Sequence, residues 1–96
     1  MADYIFLMHD DAAGGDGLDW EPYLSKLRES GVFQGGSEIG EGACFCKSGD
    51  APDPTAHIGG FIRVTASDLD AAKKLLAGNP VYEAGGTVEI RELPRS

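Results

Sequence analysis

The clearest signal along the chain is a two-residue alternation that gives way to a helical period. Between His57 and Thr65, the residues Ile58, Gly60, Ile62 and Val64 fall on one side, while Phe61, Arg63 and Thr65 fall on the other. That is the pattern of a strand with one face turned to a core. A helix should follow. Ser67 is placed to cap it, and Asp68 and Asp70 put negative charge in its first turn. Leu69, Ala72 and Leu76 recur as its buried stripe, and Gly78 before Asn79-Pro80 ends it.

The remaining segments are read against this strand and helix. Residues 3–8 (Asp-Tyr-Ile-Phe-Leu-Met) form an apolar run of strand length without alternation. Such a strand belongs at the centre of a sheet, with both faces covered. Residues 12–18 are a glycine-rich loop. Over residues 19–30 the apolar side chains Trp20, Tyr23, Leu24 and Leu27 mark one helix face, with Asp19 as N-cap and Pro22 in the first turn. Gly31 ends this helix, and Val32-Phe33 opens a second strand. Residues 35–42 are too rich in glycine to be regular throughout. Residues 43–47 (Ala-Cys-Phe-Cys-Lys) predict a short strand, either a hairpin partner or a continuation after a bulge. Residues 48–56 are a proline-bearing loop and residues 81–86 a connector. Residues 87–93 alternate, with Val88 and Ile90 toward the helices and Thr87, Glu89 and Arg91 away. Residues 94–96 are expected to fray.

Strand, helix, strand, strand, helix, strand is the βαββαβ order of an α+β, ferredoxin-like fold, with both helices on one side of an antiparallel sheet. One domain is expected over residues 1–96. The other sheet face would carry Phe61, Arg63, Thr65, Glu89, Arg91 and one set of apolar residues from the first strand. Leaving these in water would expose an apolar patch, so a homodimer with sheets face to face, a dimeric α/β barrel, is expected.

Composition narrows the choice of partners. The formal charge of -8, from sixteen acidic and eight basic residues, repels phosphate backbones and anionic lipid, so neither nucleic acid nor a membrane surface is expected to bind. No apolar run reaches the length of a membrane span, Met1-Ala2-Asp3 lacks a basic leader, and two cysteines are few for a secreted domain this small. A cytoplasmic protein is the expectation.

Candidate chemistry clusters at the end of the first strand. His9 is a credible general base near neutral pH when a carboxylate orients it, and Asp10 is the adjacent candidate. Neighbouring strand residues point to opposite faces, so Asp10 serves only where the strand has ended, and Asp11 is the same-side alternative. The structural alternative is a strand-end histidine hydrogen-bonded to the following loop. Arg63 on a covered face needs either a carboxylate, with Glu89 the nearest choice, or a ligand anion. Cys44-x-Cys46 with His57 falls short of a four-ligand zinc site, so no metal is expected and two reduced packing thiols are the reading. Asp10, Asp11, Asp16 and Asp19 do not match a calcium loop, and Gly14-Gly15-Asp16-Gly17 lacks the Lys-Ser/Thr ending of a phosphate loop. Trp20 and Tyr23 read as helix core.

With these residues in view, the chain resembles the YCII-related family in its DGPF branch. The resemblance is carried by Tyr4-Ile5-Phe6-Leu7-Met8-His9-Asp10-Asp11, Trp20-x-x-Tyr23-x-x-x-Leu27, Gly59-Gly60-Phe61-x-x-x-x-Ala66-x-Asp68-Leu69-Asp70-x-Ala72, and Gly85-Gly86-Thr87-Val88-Glu89-Ile90-Arg91. It implies a ferredoxin-like dimeric barrel among small bacterial proteins, with a pocket between sheet and loops, and a few relatives that act on small aromatic compounds. The Asp-Gly-Pro-Phe segment that names the branch is absent, and residues 48–53 stand in its place. The YCII-proper branch pairs a helix-borne histidine with an Asp-Pro pair. Tyr23 and Asn79-Pro80 occupy those places here, so that dyad does not carry over, although Tyr23 remains a candidate binding residue.

The expectation is a pocket for a small organic molecule. Its cofactor-free acid/base chemistry, of lyase or isomerase type, would use His9 and Asp10, with Arg63, Phe61, Asp11 and Tyr23 binding the substrate. The rival is a non-catalytic ligand-binding or protein-interaction module of the same fold.

Overall fold

The first strand, β1 (Ala2–His9), buries every second side chain. Tyr4, Phe6 and Met8 face the core, while Ile5 and Leu7 on the opposite face are only half-buried. The computed structural model describes residues 1–13 and 17–94 of the chain. Gly14, Gly15 and Asp16 of the expected loop, and Arg95 and Ser96 of the expected frayed end, lie outside the described residues. After β1 come α1 (Glu21–Glu29), β2 (Phe33–Glu38), β3 (Ile58–Ala66), α2 (Leu69–Lys74), α3 (Pro80–Glu83) and β4 (Val88–Leu93). The four strands form one sheet in the order β2-β3-β1-β4, and every pairing is antiparallel. This is an α+β, ferredoxin-like arrangement, with β1 and β3 central.

Register explains the core. Phe6 pairs with Ile62 on one side and Ile90 on the other, and Tyr4 pairs with Val64, so these side chains stand in adjacent rows on one face. Tyr23 and Leu27 of α1, Ala72 of α2, Leu76 after it and Val81 of α3 close over that face as one cluster. All helices therefore cover the same side. The opposite face carries Ile5, Leu7, Phe61, Arg63, Thr65, Glu89, Arg91 and Leu93, and no helix reaches it. The expected cover over both faces of β1 is supplied by the chain itself on one face only.

Several elements differ from the sequence expectation. The second strand runs straight through Gly35-Gly36, with a shift in register between Phe33 and Gly35. Glycine is tolerated there because β2 and β3 pack too closely for a side chain: a Cβ on Gly36 would come within 2.6 Å of the Phe61 carbonyl oxygen. The predicted strand at residues 43–47 is absent. Among the described residues this β-prone segment joins neither outer strand of the sheet, β2 or β4, and Phe45 is 90% exposed. Leu69 was expected in the buried stripe but is 56% exposed, because α2 is short and its contact with the sheet comes through Ala72, with Leu76 following. Asp68, not Ser67, caps α2, its carboxylate accepting from the Ala71 amide at 2.8 Å. At α1 the capping position falls on Trp20, while Asp19 accepts from the Glu21 amide at 3.3 Å. Residues 81–83, the start of the expected connector, form with Pro80 the single turn α3 capped by Asn79.

The chain is flat, with extents of 46 × 38 × 18 Å, as a single sheet covered by helices on one side should be. It exposes 6468 Å² at a mass of 10.1 kDa, whereas a compact monomer of that mass exposes roughly 5,300 Å². Its radius of gyration of 14.7 Å likewise exceeds the roughly 12.5 Å expected for a domain of this length. The bare sheet face and the irregular excursion between β2 and β3 account for the excess. Among the described residues, no helix is long and apolar enough to cross a membrane.

Candidate functional site

An open cleft of about 600 Å³ lies between α1 and the glycine-rich ends of β2 and β3. Gly35, Gly36, Gly59 and Gly60 bound it on the sheet side, where the absence of side chains leaves a depression. Leu18, Trp20, Leu24 and Phe33 supply the apolar wall, with Met8, Ile62 and Val81 also in contact. Its titratable groups are His9, Asp10, Arg28 and Glu38. Arg28 is already engaged: its guanidinium lies 5.5 Å from the centre of the Phe33 ring, and Nη1 is 3.4 Å from Glu21.

Of the six residues expected at a site, His9, Asp10 and Phe61 border this cleft, whereas Asp11, Tyr23 and Arg63 do not. His9 is oriented by a carboxylate, but that carboxylate is Glu89, with Nε2 3.2 Å from Oε1. Ordinary strand alternation puts His9 on the open face with Leu7, which pairs with Glu89. Glu89 is held in turn by Arg91, whose Nη1 is 3.1 Å from Oε2. The Arg91 hydrogen bond first, then that of His9, keeps the Glu89 carboxyl below the ordinary carboxylate range. The His57 ring packs edge-on against His9, with centroids 4.9 Å apart. Asp10 does not touch the His9 ring. Its backbone amide donates to the His57 carbonyl, and its carboxylate lies over Gly59, where a Cβ would overlap it.

The other three have structural roles. Asp11 clamps the start of β4: its carboxylate accepts from the Thr87 amide at 2.8 Å and the Thr87 hydroxyl at 2.7 Å. Those bonds, the hydroxyl's first, hold the Asp11 carboxyl below the ordinary carboxylate range. A carboxyl whose pKa is lower folded than unfolded stabilises the fold above the unfolded value and loses that contribution as pH falls through the folded one. The melting temperature should therefore fall less steeply below about pH 4 in Asp11→Asn than in the wild type. Parallel slopes would remove Asp11 from the acid response. Tyr23 is core: its hydroxyl donates to the Leu75 carbonyl at 2.7 Å, and burial pushes its phenol pKa up. Asn79 caps α3 through Oδ1, and its buried Nδ2 has no partner among the described residues. Among the described residues Arg63 pairs with neither Glu89 nor any other carboxylate; its Nη2 donates to the Gln34 carbonyl at 2.8 Å and fastens β2 at its bulge.

Glu89 is the one member of this group that sequence reasoning assigned elsewhere, as a partner for Arg63. Cys44 and Cys46, read as packing thiols, are both free and exposed. No group of three or more metal-ligating side chains occurs among the described residues.

Residues 19–95 match the YCII-related domain. The chain belongs to the YCII-related family. The match takes in every element from α1 to β4 and so covers both walls of the cleft, while β1 with His9 precedes it. No curated protein matches the chain. Within this YCII-related domain, the helix and Asn-Pro positions noted in the sequence carry Tyr23 and Asn79. These make core and capping contacts and leave the histidine-carboxylate pair at the end of β1 as the nearest acid/base geometry to the cleft.

Proposed function

We propose that the protein binds a small organic molecule in the cleft beside α1 and acts on it by cofactor-free proton transfer, with His9 as the base. The observation that carries this reading is a histidine at the border of the cleft whose Nε2 is fixed by Glu89. With Nε2–H directed to the carboxylate, Nδ1 keeps the lone pair that takes a proton, and Glu89 stabilises the imidazolium that forms. Asp10, at the cleft border, takes the position of a second polar contact for the ligand. Arg63 is outside the cleft and donates to the Gln34 carbonyl, so this reading gives it no part in holding the ligand.

The chain has one tryptophan, and Trp20 lines the cleft. Occupancy should therefore report as saturable quenching of its fluorescence across a panel of aromatic lactones and chlorinated phenols. For any compound turned over, His9→Ala should lower kcat/KM by about 10²–10⁴-fold, and Glu89→Gln by less. A His9→Ala protein as fast as wild type would remove His9 as the base.

A second reading, a non-catalytic binding module, is favoured by the closed chain of contacts from His9 through Glu89 to Arg91, which is also what a structural charge network looks like. Saturable quenching without turnover of any quenching compound would select it.

The assembly in this reading is a homodimer joined through the helix-free sheet face. Support comes from the half-buried Ile5, Leu7, Phe61 and Leu93 on that face and from the surface in excess of a compact monomer.

A further inference from the structure

We propose that Cys44 and Cys46 form an exposed dithiol that exchanges with small-molecule disulfides, cycling between two thiols and a Cys44–Cys46 disulfide. Both thiols are free and solvent-exposed, so each is open to attack and to attacking. They stand one residue apart in the irregular excursion between β2 and β3, where no regular secondary structure forms. Among the described residues, no backbone hydrogen bond ties residues 40–56 to the sheet. In an extended chain, residues i and i+2 project to the same side with their Cα atoms about 6.7 Å apart. That is already at the edge of the range a disulfide spans, and a modest bend brings the pair inside it. A segment bound to no ladder can bend without breaking sheet hydrogen bonds. The closed ring is small and strained, which makes its disulfide easy to reduce, as a reversible exchange site requires.

The exchange balances with a low-molecular-weight disulfide as oxidant. The thiolate of one cysteine attacks a sulfur of glutathione disulfide; an S–S bond forms to the protein as the original one breaks, and one glutathione leaves as its thiolate. The second protein thiolate then attacks the protein-bound sulfur, closing Cys44–Cys46 and expelling the second glutathione. The two protons of the protein thiols end on the two released glutathiones. The protein is oxidised by two electrons and glutathione disulfide is reduced by two.

Intact-protein mass after incubation with glutathione disulfide tests this. The wild type should lose two hydrogens, release two glutathiones per chain and recover its mass in excess reduced glutathione. Cys44→Ser and Cys46→Ser should each stop as a mixed disulfide with one glutathione per chain, and their circular dichroism should match wild type. Retention of one or two glutathiones on the wild type, covalent dimers joined between chains, or no reaction would each overturn the proposal.

Discussion

Phe6→Ala is expected to lower the free energy of unfolding by about 3–5 kcal/mol, a large share of the stability of any domain this size. Phe6 is 0% exposed and stands on the central strand, in register with Ile62 and Ile90 on its two neighbours. The helices close over this row from above, so truncation opens a cavity with sheet on one side and helix on the other, and neither can collapse into it without moving the other. Urea titration at fixed protein concentration should show the midpoint fall sharply with little change in slope. The control is Ile5→Ala, one residue earlier on the half-buried face, which should cost the isolated fold much less. A loss below about 1 kcal/mol for Phe6→Ala would mean that the core is centred elsewhere.

Leu7→Arg is expected to abolish the proposed dimer while leaving the monomer folded. Leu7 is half-buried in the single chain and lies between Phe61 and Glu89 on the helix-free face. A guanidinium there can reach water, and Glu89 is beside it, so the monomer tolerates the change. In a face-to-face pair the same position falls under the partner's sheet. A symmetric interface would place two such charges near one another away from water, a cost that several kcal/mol of apolar contact cannot offset. Sedimentation should then show only the 10.1 kDa species, with circular dichroism unchanged. A variant that stays dimeric would move the interface off this face.

The parts of the fold legible in the sequence are those where one local rule acts alone. The alternation from Ile58 to Val64 became β3, and the i, i+3, i+4, i+7 spacing of Trp20, Tyr23, Leu24 and Leu27 became the apolar face of α1, with Tyr23 and Leu27 buried. Competition for partners was not legible. The Cys-Phe-Cys segment has strand propensity yet joins neither edge of the sheet, whereas Gly35-Gly36 has little propensity and pairs where the close approach to β3 excludes side chains. α3 spans only four residues, too few to show a period, although Asn79-Pro80 carries its cap signal. At the site, His9 was visible from its position at a strand end. Its partner was not, since Glu89 is distant in the chain and reaches it only through the β1–β4 register. Asp10 was the obvious neighbour in sequence, and sequence neighbours on a strand point apart.

The central claim is that a second copy shelters the sheet face the chain's own helices do not reach. Light scattering on the wild-type protein at micromolar concentration tests it most directly. The account predicts a single species of twice 10.1 kDa; one species of 10.1 kDa, unchanged on raising the concentration, would contradict it.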